Sequence, residues 1–129
     1  MFDWNLYFRL ARKLKELAKN DSYLQEAYIR SAVSRAYYAA FGQARRFAES
    51  KLGFEAKQGA SDHKELRDCL KQNSYTGAAE WLDDLRRWRN SCDYDESPLE
   101  STDVRAMCDQ ALTQANNVLQ CLQPVAPVA

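Results

Sequence analysis

The sequence is short of the residues that interrupt helices and of those that build metal or membrane sites. It holds four glycines and three prolines in 129 residues, and no proline comes before Pro98. Histidine occurs once, at His63, and Cys69, Cys92, Cys108 and Cys121 form no CxxC pair. That spacing excludes the familiar zinc frameworks, and dispersed reduced thiols in a cytoplasmic protein are the expectation. Net charge is also missing: 18 basic residues balance 18 acidic ones. No global basic field draws the chain to nucleic acid, so any phosphate site must be local. The opening stretch MFDWNLYFRLARKLKEL is amphipathic and charged, which makes it neither a signal peptide nor a membrane span. No internal repeat or low-complexity block appears.

What is present is helix signal. The length suits one domain with a real core. The longest pattern runs from Asp21 to Leu52, rich in alanine and free of proline, with Gly42 as its one glycine before the closing Leu52-Gly53. Asp21 or Ser22 offers an N-cap oxygen, and Ser22 with Gln25 has capping-box spacing. Ile29, Val33, Ala36, Tyr37, Ala40, Phe41, Ala44 and Phe47 share a broad apolar face, as expected of a helix packed against several others. On another side Arg35, Ala39, Gly42 and Arg46 follow helical spacing, and the small pair either admits a second helix from a partner chain or marks an exposed face that tolerates Gly42.

A first helix is predicted from roughly Asp3 to Lys19, with Trp4, Tyr7, Ala11, Leu14 and Ala18 inward, widened by Leu6, Leu10 and Leu17. Its basic face, including Arg9, Arg12 and Lys13, reads as solvated surface. A short third helix is predicted to start near Ser61 or Asp62, where Asp62 and Glu65 have capping-box spacing. His63, Leu66 and Leu70 share one side of it, and the helix dipole there should favour a neutral ring. A fourth helix is predicted from about Thr76 to Cys92, followed by the acidic loop DYDESPLES. A fifth is predicted from about Ser101 or Thr102 to Leu122. No strand pattern competes. The expectation is an all-α, up-and-down antiparallel bundle of four long helices plus one short helix over residues 1–122, with a frayed tail at 123–129. Trp81, Leu82, Leu85, Phe41, Phe47 and Leu112 are predicted core.

Arg89 stands out because it follows Leu82 and Leu85 along the inner line of the fourth helix. An inward arginine near a helix end is either an ion-pair anchor or an anion-binding group. Arg86 and Arg87 instead follow Asp83 at ion-pair spacing on the solvent side. Arg30 and Ser34 flank the spine's apolar face in line with Tyr37, and a guanidinium there must find a partner.

The segments RSAVSRAYYAAF and LRRWRNSCDYD, with His63 opening the helix between them, resemble the HEPN family of small all-helical domains. The resemblance spans nearly the whole chain. It implies a homodimer, a nucleotidyltransferase antitoxin as partner, an RNA or nucleotide ligand, and a toxin or phage-defence role without metal or other cofactor. Many members are metal-independent endoribonucleases whose motif is an arginine followed, four to six residues on, by histidine. Arg89 and Asn90 match its start, and Arg30, Ser34 and Tyr37 are further candidate contacts for RNA or nucleotide. The motif histidine does not match, since Tyr94 stands in its window. A phenol with a pKa near ~10 is about one part in a thousand ionised at neutral pH, a poor base for a 2′-hydroxyl. Catalysis, if present, would fall to Arg89, Tyr94 and His63.

Overall fold

The computed structural model describes residues 1–97 and 101–123. It is all-helical, with no strand among the described residues. The elements are α1 (Asn5–Ala18), α2 (Gln25–Lys51), α3 (Ser61–Gln72), α4 (Thr76–Tyr94) and α5 (Ser101–Cys121). At 14 residues α1 is nearer in length to the 12-residue α3 than to the 27-residue α2. None of these helices is long and apolar enough to cross a membrane.

The spine is α2, which touches every other helix. Its alanines at 32, 36, 39, 40, 44 and 48 are all buried, and their small side chains let neighbouring backbones come close. Phe41, Phe47, Leu82 and Leu85 lie in the core as expected, whereas Trp81 and Leu112 only pack against its edge. The helix ends where Gly53, at φ +70°, turns the chain so that the Phe54 N–H reaches back to the Ala48 carbonyl at 3.2 Å. This left-handed glycine stop gives the Ala48 carbonyl a second donor beside the Leu52 N–H.

The small-residue line of α2 does not wait for a partner chain. A Cβ at Gly42 would fall inside the indole of Trp4, so the glycine is where the start of α1 lies down on α2. Arg35 sits over the Tyr7 ring at 5.1 Å, and Arg46 donates to the Phe2 carbonyl at 2.6 Å. The expectation of an intermolecular interface along Ala39 and Gly42 is therefore overturned by an intramolecular contact. Covering that line turns α1 so that Leu6, Leu10 and Leu17, predicted to widen its inner stripe, remain exposed.

Three boundary expectations also shift. Asp21 does not cap α2: its Oδ1 accepts from the N–H groups of Tyr23 and Leu24, a turn that delays the helix to Gln25. Asp62 sits inside the first turn of α3, and its buried carboxylate accepts the Lys57 and Gln58 N–H groups at 2.9 and 2.8 Å. Those bonds hold it below the ordinary aspartate pKa and tie down the preceding loop. Helix α4 continues to Tyr94, so Asp93 and Tyr94 are helical rather than part of the acidic loop. The frayed tail expected at 123–129 lies, past Gln123, outside the described residues.

Candidate functional site

The inner line of α4 carries Leu82, Leu85 and Arg89 at helical spacing, all buried. The Arg89 guanidinium enters a pocket walled by tyrosines, with its central carbon 5.2 Å from the Tyr37 ring, 5.5 Å from Tyr38 and 5.9 Å from Tyr94. Tyr37 and Tyr38 come from consecutive positions of α2. Contacts of this kind are favourable for a cation but leave its N–H groups short of acceptors. One nitrogen donates to Tyr38 Oη at 3.3 Å and lies 3.9 Å from Asp93 Oδ2, while Nε is buried without a partner. Asp93 also accepts from Ser34 Oγ at 3.3 Å. Asp95, two residues further on, turns its Oδ1 to the Ser97 N–H.

His63 joins the cluster from the first turn of α3. Its ring stacks on Phe41 with centroids 4.3 Å apart, and its Nδ1 is hydrogen-bonded to Tyr37 Oη. Burial, then the neighbouring guanidinium groups of Arg89 and Arg67, holds His63 below the ordinary histidine pKa. The neutral ring expected from the helix dipole is thus favoured, chiefly through burial. Tyr37 is 1% exposed, and burial raises its phenol far above the usual value despite the opposing pull of Arg89. It therefore keeps its proton. With no other acceptor for that buried O–H among the described residues, Tyr37 must donate to His63 Nδ1. The remaining histidine proton then resides on Nε2, where it is available as a donor. In this tautomer His63 is not a general base.

The site gathers most, but not all, of the residues expected from sequence. Arg89, Tyr94, His63 and Tyr37 converge, and Ser34 supports Asp93. Tyr94 is 72% exposed and is the cluster's contact with solvent. Ser34 and Tyr37 are buried and lie beneath the exposed edge of the cluster. Asn90 is half-buried and its side chain makes no hydrogen bond among the described residues.

Arg30 is engaged away from this cluster. Its two terminal nitrogens donate to the carbonyls of Ser91, Cys92, Asp95 and Ser97 at 3.3, 3.0, 2.6 and 2.8 Å, and to Glu26 at 3.3 Å. It ties the start of α2 to the carbonyl-rich end of α4, with both terminal nitrogens engaged there.

Two neighbours were missed. Arg67, one turn after His63, donates to the His63 carbonyl at 3.1 Å, and its Nε lies 3.6 Å from Asp83. Arg86, one turn before Arg89, lies 3.0 Å from the same carboxylate and is only 30% exposed, not turned fully to solvent as expected. The i+4 spacing from His63 to Arg67 was the available signal. An opening of about 530 Å³ lies between the end of α1 and the starts of α2 and α5, but none of the predicted site residues lines it. Cys108 at its wall, and Cys92 behind Arg89, are thiols that burial pushes up to about 11, too high for nucleophiles at neutral pH. No family model, curated protein or solved structure matches this chain.

Proposed function

We propose that this is a HEPN-like domain that binds a phosphate of RNA or of a nucleotide at Arg89, as a homodimer in a toxin or defence system with a nucleotidyltransferase partner. In this reading α1, α2, α4 and α5 form the up-and-down bundle, and α3 is the added short helix. The four free cysteines fit a cytoplasmic setting. The observation that carries the reading is the Arg89 guanidinium. It is buried to 8% exposure, and among the described residues its one ion-pair contact is 3.9 Å long and its Nε has no acceptor. A buried cation this poorly partnered gains more from an arriving anion than a solvated surface arginine does. Tyr94 beside it offers an exposed ring for a base, and the His63 N–H is a second donor.

The test is binding of short single-stranded RNA by Arg89→Ala and Arg89→Lys. Both should lose binding, because lysine lacks the planar fork, while both remain folded. Unchanged affinity in folded Arg89→Ala would refute the reading.

Metal-independent endoribonuclease activity is the second reading, favoured by the meeting of Arg89 and His63 at Tyr37. Arg89 would stabilise the phosphorane by charge, and the neutral His63 N–H would hydrogen-bond one of its oxygens. A base is then lacking, since Tyr94 is a phenol and His63 Nδ1 is occupied. Binding without cleavage is therefore preferred, and incubation with mixed cellular RNA should leave it intact. Arg89-dependent cleavage would reverse that preference. A purely structural or interaction module is what remains if no RNA or nucleotide binds.

A further inference from the structure

We infer that Arg67 and Arg86 form a second anion subsite beside Arg89, so that the site takes a chain of two adjacent phosphates in preference to a single one. The inference rests on the phosphate-binding reading of Arg89. On α3, His63 and Arg67 lie one turn apart; on α4, Arg86 and Arg89 lie three residues apart; and these two helices pack together. Residues at those spacings share a helix face, with Cβ atoms about 5–6 Å apart. Four donor-bearing side chains thus stand on facing turns of two packed helices.

Their charge is incompletely matched. Asp83 alone is shared by Arg67 at 3.6 Å, Arg86 at 3.0 Å and Arg87 at 3.9 Å. Arg87 has a partner of its own in Asp84, but Arg67 and Arg86 have no second carboxylate among the described residues. Asp62, the other acid near His63, is engaged by backbone N–H groups. The fields of Arg67 and Arg86 reach the same two groups as that of Arg89: all three disfavour the charged ring of His63 and ease ionisation of Tyr37. A single phosphate at Arg89 would leave this second pair of guanidinium groups competing for one carboxylate. A neighbouring phosphate would satisfy both.

The experiment measures affinity for uridine monophosphate, for a dinucleotide carrying two phosphates and for a hexamer, the oligomers being 2′-O-methylated so that no cleavage intervenes. Wild type should bind the dinucleotide about tenfold or more tightly than the monophosphate, the increment expected of one charge-assisted contact. Arg86→Gln should erase that increment, leave the monophosphate affinity unchanged, and lower the salt slope for the hexamer by about 0.7. Asp83→Asn should have the opposite sign, releasing both arginines and tightening the dinucleotide. A merely structural role for the Asp83 pairs does not predict that gain. The inference is overturned if Arg86→Gln and Asp83→Asn, both folded by circular dichroism, leave the step from one phosphate to two as in wild type. In that outcome an Arg89-dependent monophosphate site still stands. If wild type binds none of the three probes, or binds them without Arg89, the underlying reading fails and the second subsite with it.

Discussion

Arg30 and Arg89 are two inward-turned arginines a few residues apart in space, and they end in opposite states. Arg30 reaches from the first turns of α2 to the last turn of α4 and is surrounded by four carbonyls and Glu26. Arg89 reaches from α4 toward α2 and finds ring faces, one phenol oxygen and a distant carboxylate. The difference lies in what each helix presents to the arriving cation. A helix C-terminus supplies a cluster of unpaired carbonyls. The side of a helix supplies only side chains, here mostly aromatic. Burial alone therefore does not separate a fully partnered arginine from one short of acceptors; the tally of acceptors around it does.

The largest expected effect is on the structural member. Arg30→Ala should lower stability by about 2–3 kcal/mol, since several carbonyls lose a charged donor together, while the folded fraction keeps its affinity for short RNA. Chemical denaturation with a parallel binding titration checks both. If Arg30→Ala abolishes binding and spares stability, the two assignments are exchanged. Arg89→Ala should lower stability by only about 1 kcal/mol, the order of a loose ion pair and a ring contact, yet remove binding. A loss near that of Arg30→Ala would make Arg89 an anchor after all. Smaller again, Asp93→Asn should move stability by about 0.5 kcal/mol or less and strengthen anion binding by removing the acid nearest Arg89.

The smallest effect is acidic. His63 has a folded-state pKa below its unfolded value, so below the ordinary histidine pKa the unfolded chain binds the proton more readily. Its contribution is complete above about pH 6.5 and is lost as pH falls toward the folded value. Melting curves between neutral and mildly acidic pH should show this loss in wild type and a smaller one in His63→Gln. Equal losses would place the titration elsewhere.

Periodicity alone placed Arg89 on the inner line of α4 and His63 on the inner side of α3, because turn spacing determines which face a residue shares. It also located the left-handed stop at Gly53. What periodicity does not carry is the identity of the neighbour across a seam. Gly42 and Ala39 correctly marked a close helix approach, but the helix that approaches is α1, and only the meeting of Trp4 with Gly42 reveals it. The partners of Arg30 were hidden for the same reason: they are mostly backbone carbonyls, which every residue possesses and no side-chain pattern announces. Tyr37 was recognisable as part of the spine's apolar face, whereas its contact with His63 of α3 was not.

The most direct test of the central claim is the melting temperature of wild type, Arg30→Ala and Arg89→Ala measured against rising concentrations of uridine monophosphate. Ligand that binds only the folded state stabilises it, by about 2.7 kcal/mol at one hundred times the dissociation constant. Wild type and Arg30→Ala should rise in parallel from different starting temperatures, and Arg89→Ala should stay flat. A rise in Arg89→Ala equal to that of wild type, or no rise in wild type at any concentration, would contradict the assignment of Arg89 as the phosphate-binding residue.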